Sequence, residues 1–565
     1  MNADLTLLRL NRVLLAAAVG LLLFYFAVYA VYAVNLISFP FDYDQGEGFE
    51  LVDTILFSQG EWPYRDTETF PFYSSNYPPL FHVIAAPFVW LFGPAYWYGR
   101  LLSFLSTLIT AAAIAYAVHR ASGHRWIAIL SGLAFLASNT VYHIGPLFRQ
   151  HISMVMFETL AVVVLAGVNE IPDTRRRRRL LALGLALILA AGYTKQLAAV
   201  TALAAGVFLF IRQPRRAVVW GIMAALAGVG IFVWMNWATG GEWWRQAILA
   251  NVNELKILQT LALFGQWFGL HGFLIVPAAL LVLYELYFAR LSIYAIWFVC
   301  AVGINGAASG TWGGGDSYFA TAIAATCILS GIFAARTLRG EWRFPSNYLS
   351  RLVINPTPKS PPHDMERGLP DSPLLPLSQG KGGVRLALAR VGLIIIPLLY
   401  LGYGRAVLHM PTQGAVFGTL AGALNIPPNA MNGFYDSART LDGQYATGYA
   451  NIGHLVTQAD IDAGWSIVAR IRESEQPVIS EDAGFTLMAG REAITNPTQL
   501  LNLEKKGLYD GGELVRMIDG QEFGLIILRA QFYPDVVLQA IARAYTQTET
   551  VTMNGFNYLL LRPKP

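Results

Sequence analysis

The 565 residues are 55% hydrophobic and only 13% charged, about half the charged share of an ordinary soluble chain. The formal net charge of +4 is small, and its arginines fall in short loops between apolar runs, which marks a polytopic membrane protein and excludes nucleic acid as a partner. Only Cys300 and Cys327 are present, both inside apolar runs, so there is no disulfide framework.

The first apolar run, 13–37, is long enough to span and lacks a small-residue cleavage site, so it reads as a retained helix. The loop after it, 38–98, carries Phe41-Asp42-Tyr43-Asp44-Gln45-Gly46-Glu47-Gly48-Phe49-Glu50. Phe49, Val52, Ile55 and Leu56 recur at helical spacing, which predicts a helix lying on the membrane. Asp44 and Glu47, three residues apart, are expected on one side of it. The segment 79–93 is apolar but short for a crossing and reads as an interfacial helix. Further spans are expected at 99–119, 126–144, 152–167, 180–193, 196–211, 217–238, 270–286, 291–308, 317–335 and 386–408.

Basic residues test this order. Arg9 and Arg12, then 119–125, 175–179, 212–216, Arg290, 336–343 and 385–390 occur at alternate turns, which places those turns and the N-terminus in the cytoplasm. The stretch 180–211 must then be a hairpin turning at Lys195, because one long helix would carry Arg215 and Arg216 outside. The external face owns 38–98, 145–151, the Lys195 turn, 239–271, 309–316 and everything after Met410.

The stretch 345–381 is rich in Pro, Ser and Gly and is expected to be a disordered cytoplasmic linker. The tail from 413 alternates helical and strand patterns: helix at 467–474, strand at 477–480, helix at 512–519, strand at 523–528, helix at 534–545. An Asn554-Gly555 hairpin follows within 551–561. A small α/β domain follows from this, and with no phosphate loop or nucleophile motif it reads as a structural or substrate-positioning cap. The domains expected are a membrane module over 1–344, the linker 345–385, a last span 386–409 and an external domain 410–565.

Carboxylates at a bilayer surface gain nothing by packing there, so Asp44 and Glu47 suggest a task, either deprotonating an acceptor or holding a metal. Lys195 would cost about 2.5–3.5 kcal/mol at the bilayer centre but less in an outer turn, where it can reach a phosphate. Arg100 and Arg149, at outer span ends, either stabilise an anion or anchor their helices. Acids and cations on one face suit the activation of an acceptor hydroxyl beside a phosphate leaving group. Trp243, Trp244, Trp312, Asn251 and Asn253 lie on the same face, where belt aromatics and loop polar residues are common. A lipid flippase or solute transporter is the alternative, and it predicts ionisable groups at mid-depth along a pathway.

The order Asp44…Glu47, Gly60-x-x-x-Tyr64, Tyr77-Pro78-Pro79-Leu80, Leu91-Phe92-Gly93 and Gly99-Arg100-Leu101 resembles the opening of GT-C superfamily glycosyltransferases. Protein O-mannosyltransferases and lipid-A aminoarabinose transferases are the nearest types. Thr194-Lys195-Gln196 resembles their phosphate-contacting lysine, and Gly313-Gly314-Gly315-Asp316-Ser317-Tyr318-Phe319 a turn opening a late span. The resemblance covers roughly residues 10–335. It implies a polytopic α-helical GT-C fold of about eleven spans in the cell membrane, with a small extracytoplasmic α/β domain. It further implies an inverting transferase using a polyprenyl-phosphate monosaccharide and a lipid, glycan or protein acceptor. Glu47 or Asp44 would be the base, and Lys195, Arg100, Arg149, His151, Tyr77, Asp316 and Tyr318 would bind substrate. Where such enzymes often place an acid after the third span, this chain has Arg149-Gln150-His151, so a divalent cation is left as an option and no metal ligand is assigned.

Overall fold

The computed structural model describes residues 2–311, 313–342, 383–412, 414–425 and 455–565. The expected linker at 345–381, and Trp312, lie outside them. Every expected span is helical. Among the described residues, seven helices are long and apolar enough to cross a membrane: Leu5–Ile37, Trp97–Ser122, His151–Glu170, Pro214–Ala238, Ile257–Phe288, Asp316–Arg339 and Ala389–Ala406. Thr174–Thr194 carries too many arginines to count by composition, and Arg125–Leu136, Gln196–Arg212 and Ile293–Ala308 are shorter apolar helices.

Side-chain contacts sort the connections onto two faces. On one, Asn11 Nδ2 donates to the Leu393 carbonyl at 2.5 Å, and Arg212 Nη2 donates to the Leu291 carbonyl at 2.8 Å. On the other, Gln196 Nε2 donates to the carbonyls of Asn76 and Ala247 at 3.3 and 2.8 Å, and the backbone of Lys256 donates to Gly310 at 3.1 Å. Lys195 is extended, with φ −158° and ψ 139°, and breaks the chain between Thr174–Thr194 and Ala199–Arg212. The hairpin that the arginines require is therefore present.

Three expectations are corrected. The loop 239–271 ends at Lys256, because the helix Ile257–Phe288 starts thirteen residues earlier than the span expected at 270. Gly265, Gln266, Gly269 and His271 dilute its hydropathy, yet Thr260, Leu263, Trp267 and His271 are buried on its bundle face. The span 126–144 is two helices, Arg125–Leu136 and Asn139–Ile144, broken at the extended Ser138. The helix Glu47–Gln59 does not lie on the membrane: Phe49, Val52 and Leu56 are buried with Tyr73, Ala483 and Ala493, between Leu80–Phe92 and the tail helix Ala483–Met488. It is Leu80–Phe92 that exposes an apolar edge, through Val83, Trp90, Leu91 and Phe92, as an interfacial helix should.

The tail holds a four-stranded sheet in the order β1-β2-β4-β3, where β1 is Val478–Ser480, β2 Leu525–Leu528, β3 Tyr545–Met553 and β4 Phe556–Pro563. Strands β1 and β2 are parallel and the other pairings antiparallel. Asn554 and Gly555, at φ 55° and 77°, make the two-residue turn that their sequence promised. Helices Gln458–Glu473, Gly512–Asp519 and Asp535–Ala544 complete the α/β unit.

This domain is bonded to the first loop at many points. Asp42 accepts from the amides of Gly48 and Gly484 at 2.5 and 2.9 Å and from the Tyr96 hydroxyl at 2.9 Å. A Cβ on either glycine would collide with that carboxylate, so close approach explains both glycines. Asn554 Nδ2 donates to the Tyr43 carbonyl at 3.1 Å and Asn496 Nδ2 to the Ser74 carbonyl at 3.0 Å.

Inside the bundle, Glu158 accepts from the hydroxyls of Thr201 and Thr321 at 2.5 and 2.6 Å, and Trp297 Nε1 donates to Thr201 at 2.8 Å. One buried carboxyl thus ties His151–Ala166, Ala199–Arg212 and Ala320–Arg339 together, about two helical turns below His151. Replacing Glu158 with Ala strands both hydroxyls and is expected to cost on the order of 1–3 kcal/mol. Thermal unfolding of the detergent-purified chain should fall for Glu158→Ala and fall less for Glu158→Gln, which retains an acceptor.

Candidate active site

The first loop closes on a buried ion pair. Arg100, at the start of the helix Trp97–Ser122, donates from Nε and Nη2 to the two oxygens of Glu47 at 2.9 and 2.7 Å. Its remaining donors reach the carbonyls of Leu36, Phe39 and Phe41 at 2.6, 2.5 and 2.7 Å, so all five are used. Glu47 also accepts from the amides of Tyr43, Asp44 and Phe148 at 3.0, 3.4 and 2.6 Å. Both side chains are fully buried. This corrects two sequence expectations: the carboxylate of Glu47 has no free lone pair for a substrate proton, and Arg100 has no donor left for a phosphate. Both hold the scaffold.

Asp44 lies in the turn before the helix Glu47–Gln59, not on one side of it with Glu47. Arg149 Nε donates to Asp44 Oδ2 at 2.8 Å and Nη2 adds a shorter bond to the same oxygen. Oδ1 makes no hydrogen bond among the described residues. Burial pushes the Asp44 carboxyl up, but the Arg149 guanidinium, with His143 and Arg529 beyond it, outweighs burial and holds it below the usual carboxylate range. Asp44 therefore stays ionised at neutral pH and remains about one-tenth exposed.

Lys195, at its helix break, is 3% exposed. Its ammonium meets His151 Nε2 and sits 4.7 Å from the Tyr77 ring centroid and 5.7 Å from that of Tyr318. Accepting that bond makes His151 a neutral imidazole with its proton on Nδ1. Burial, with Arg149 nearby, drives the lysine well below its usual value, and Glu50 pulls it back. His143 Nδ1 lies 3.4 Å from Asp316 Oδ2. The structure thus brings Asp44, Arg149, His151, Lys195, Tyr77, Asp316 and Tyr318 together on one face of the bundle. Asn251 donates to three backbone carbonyls, and Trp243 is buried against Tyr64, which makes both structural. Among the described residues no three His, Cys, Asp or Glu side chains gather as a metal site, and His151 already faces an ammonium.

Sequence reasoning missed Glu50, Asp53, His82, His143 and Gln150. Glu50 is fully buried, and its carboxyl is pushed up to about 8, first by burial and then by Asp53 and Asp44, against Arg149 and Lys195. Asp53 is pushed up to about 7 by burial, although Ser75 and Tyr73 donate to it. A signal did exist: three acids, Glu47, Glu50 and Asp53, recur every third residue on a helix whose other buried positions are largely apolar.

A bundle of membrane-length helices thus carries, at one end, an ionised carboxylate beside Arg149, and a small α/β domain packs over that end. Residues 76–237 match the family described as dolichyl-phosphate-mannose-protein mannosyltransferase. ArnT from Cupriavidus metallidurans in the apo state has the same fold, with a TM-score of 0.55 at 15% identity over 96% of this chain and 98% of that one. ArnT from the same organism bound to undecaprenyl phosphate matches with a TM-score of 0.55 at 14% identity and the same coverage. The Archaeoglobus fulgidus oligosaccharyltransferase in the apo form is more distant, with a TM-score of 0.47 at 11% identity over 97% of this chain and 74% of that one. No curated protein matches by sequence.

Removing one partner of a buried, fully bonded ion pair costs roughly 3–5 kcal/mol. Glu47→Gln is therefore expected to depress the unfolding temperature strongly. Asp44→Asn should depress it much less, because the amide oxygen keeps an acceptor for Arg149 and Asp44 is partly exposed. Differential scanning fluorimetry of the two purified variants checks the order.

Proposed function

We propose that this chain is a glycosyltransferase that moves a monosaccharide from a polyprenyl-phosphate carrier to an acceptor hydroxyl on the extracytoplasmic side. The observation that carries this reading is the pairing, at one end of the membrane helices, of an ionised carboxylate at Asp44 with Lys195 and Arg149. Asp44 Oδ1 takes the proton of the acceptor hydroxyl, and the hydroxyl oxygen attacks the anomeric carbon. The bond from that carbon to the phosphate oxygen breaks, and its electron pair leaves with the phosphate. Lys195, assisted by Arg149, neutralises the charge that grows on the leaving group in a site with little water. A single displacement of this kind inverts the anomeric configuration. Tyr77 and Tyr318 wall the lysine, while Asp316, His143 and His151 supply polar contacts for the sugar.

Two further points support the lipid donor. The phosphate-reaching lysine stands at the end of membrane helices, where a polyprenyl chain can lie alongside in the bilayer. ArnT, whose fold this chain shares over nearly its whole length, has been crystallised with undecaprenyl phosphate. For orientation, the arginine-rich turns lie on the face opposite the site, which supports a cytoplasmic N-terminus and an external tail. The acceptor is a lipid, glycan or protein hydroxyl.

The test is transfer of label from a panel of polyprenyl-phosphate sugars by the purified full chain. The wild type should transfer label, and Asp44→Asn should lower kcat by about 100- to 10,000-fold, the usual worth of a general base. Lys195→Met should also lower kcat. A folded Asp44→Asn variant with full activity would refute the base assignment. Failure of every donor, together with lipid flipping by the same preparation, would put a flippase in the enzyme's place.

A further inference from the structure

Glu50 has no part in the transfer step above, yet it stands among the charges that the step uses. It lies in the first turn of the helix Glu47–Gln59. Its Oε1 is 3.7 Å from Arg149 Nη1, and its Oε2 is 3.2 Å from His82 Nε2. The amide nitrogen of Gln150, oriented to satisfy it, donates to the two oxygens at 2.8 and 3.2 Å. Lys195 acts on it electrostatically from the hairpin turn.

The contacts of His82 bear on the same carboxyl. Thr54 spends its one hydroxyl proton on the Glu50 carbonyl at 2.7 Å. Its 3.4 Å contact with His82 Nδ1 then needs the proton on Nδ1. Nε2 is left without a hydrogen-bond partner, with carboxyl oxygens of Glu50 and Asp53 3.2 and 3.8 Å away. The imidazole is fully buried, and burial drives it down to about 3, so it gives Glu50 no counter-charge. With Asp44 and Asp53 close by and Arg149 already bonded to Asp44, a proton on Glu50 is what relieves the crowding of acids.

We propose that Glu50 is the protonatable counter-ion of the phosphate subsite. Protonated, it leaves Arg149 and Lys195 to the donor phosphate; ionised, it competes with that phosphate for them. This rests on the transferase reading and adds a coupling to it, since phosphate binding draws one proton from solvent onto Glu50 when the empty site has lost it.

The sign follows from linkage. An anion on Lys195 and Arg149 raises the proton affinity of Glu50, so binding weakens as pH rises above the value for the empty site, about 8. The groups facing Glu50 are Arg149 from the loop before His151, His82 from Leu80–Phe92, Lys195 from the hairpin turn, Asp44, Asp53 from its own helix, and the phenols of Tyr64 and Tyr73, which burial keeps protonated throughout. The tail helix Ala483–Met488, packed on the same helix, has no titratable side chain. Asp53 titrates lower, at about 7, and a phosphate monoester has its second ionisation near 6. Loss of the Lys195 proton would weaken binding in the same direction, and the experiment has to separate it.

The experiment is calorimetric binding of polyprenyl phosphate, without sugar, to the purified full chain from pH about 7 to about 9.5 in buffers of different ionisation enthalpy. For the wild type, Kd should rise close to tenfold per pH unit above about 8, with uptake of close to one proton. Glu50→Gln should bind with a Kd flat across that range and no uptake. A rise that persists in Glu50→Gln assigns the dependence to Lys195 and overturns the inference, as does a flat wild-type profile with no uptake, a readout that needs no variant. Failure of the wild type to bind polyprenyl phosphate at any pH would instead strike the transferase reading itself.

Discussion

The geometry of the site depends on the bond between Arg100 and Glu47. A guanidinium and a carboxylate taken out of water lose several kcal/mol of hydration each, and a buried pair repays that only when every remaining donor and lone pair is satisfied. Here the condition is met: three carbonyls from 36–41 and three amides from 43, 44 and 148 complete the two shells. The pair therefore specifies one conformation for the end of the first helix, the acidic turn and the turn before His151. Asp44 and Arg149 belong to those two turns, so the distance between carboxylate and guanidinium is set by a contact in which neither takes part.

From that scaffold the site separates two carboxyls by environment alone. Asp44 and Glu50 are six residues apart and both touch Arg149. Asp44 receives two bonds from the guanidinium and is held ionised. Glu50 lies 3.7 Å from the same group with Asp53 close by, and burial pushes its carboxyl up to about 8. Environments that push two acids apart in this way give them different protonation preferences at one pH.

The crossings were legible because a span is a one-dimensional constraint: about twenty apolar residues, with arginines marking alternate ends. The same rule recovered the hairpin at Lys195. It failed at 257–269, where Gly265, Gln266 and Gly269 lowered the hydropathy of a helix whose inner face packs Trp267 against Phe319. The tail's hairpin was legible from Asn554-Gly555 for a local reason, the positive φ that both positions require. That Glu47 is sealed in an ion pair while Asp44 keeps an unbonded oxygen was not legible, because Arg100 lies 53 residues from Glu47. For Glu50 the i, i+3, i+6 acids marked the helix but not the surroundings, which come from the interfacial helix, the loop before His151 and the hairpin turn.

The tail then acquires a role that its own sequence did not announce. Asp42 stands two residues before Asp44 and is gripped from three sides, by its own loop at Gly48, by the first span-end helix at Tyr96 and by the tail at Gly484. Burial and the nearby Asp482 hold the Asp42 carboxyl well above the usual range. Glu481, one residue before Asp482, accepts from four successive tail amides at 529–532 and from Gln45, one residue after Asp44. The acidic turn is thus clamped on both sides of Asp44 by the tail domain, while Arg100 and Glu47 clamp it from the helix bundle. A loop with a single anchor would let Asp44 swing away from Arg149 and regain an ordinary carboxylate environment. Two anchors, one in each domain, are what make the loop rigid enough to hold an ionised acid against a buried guanidinium.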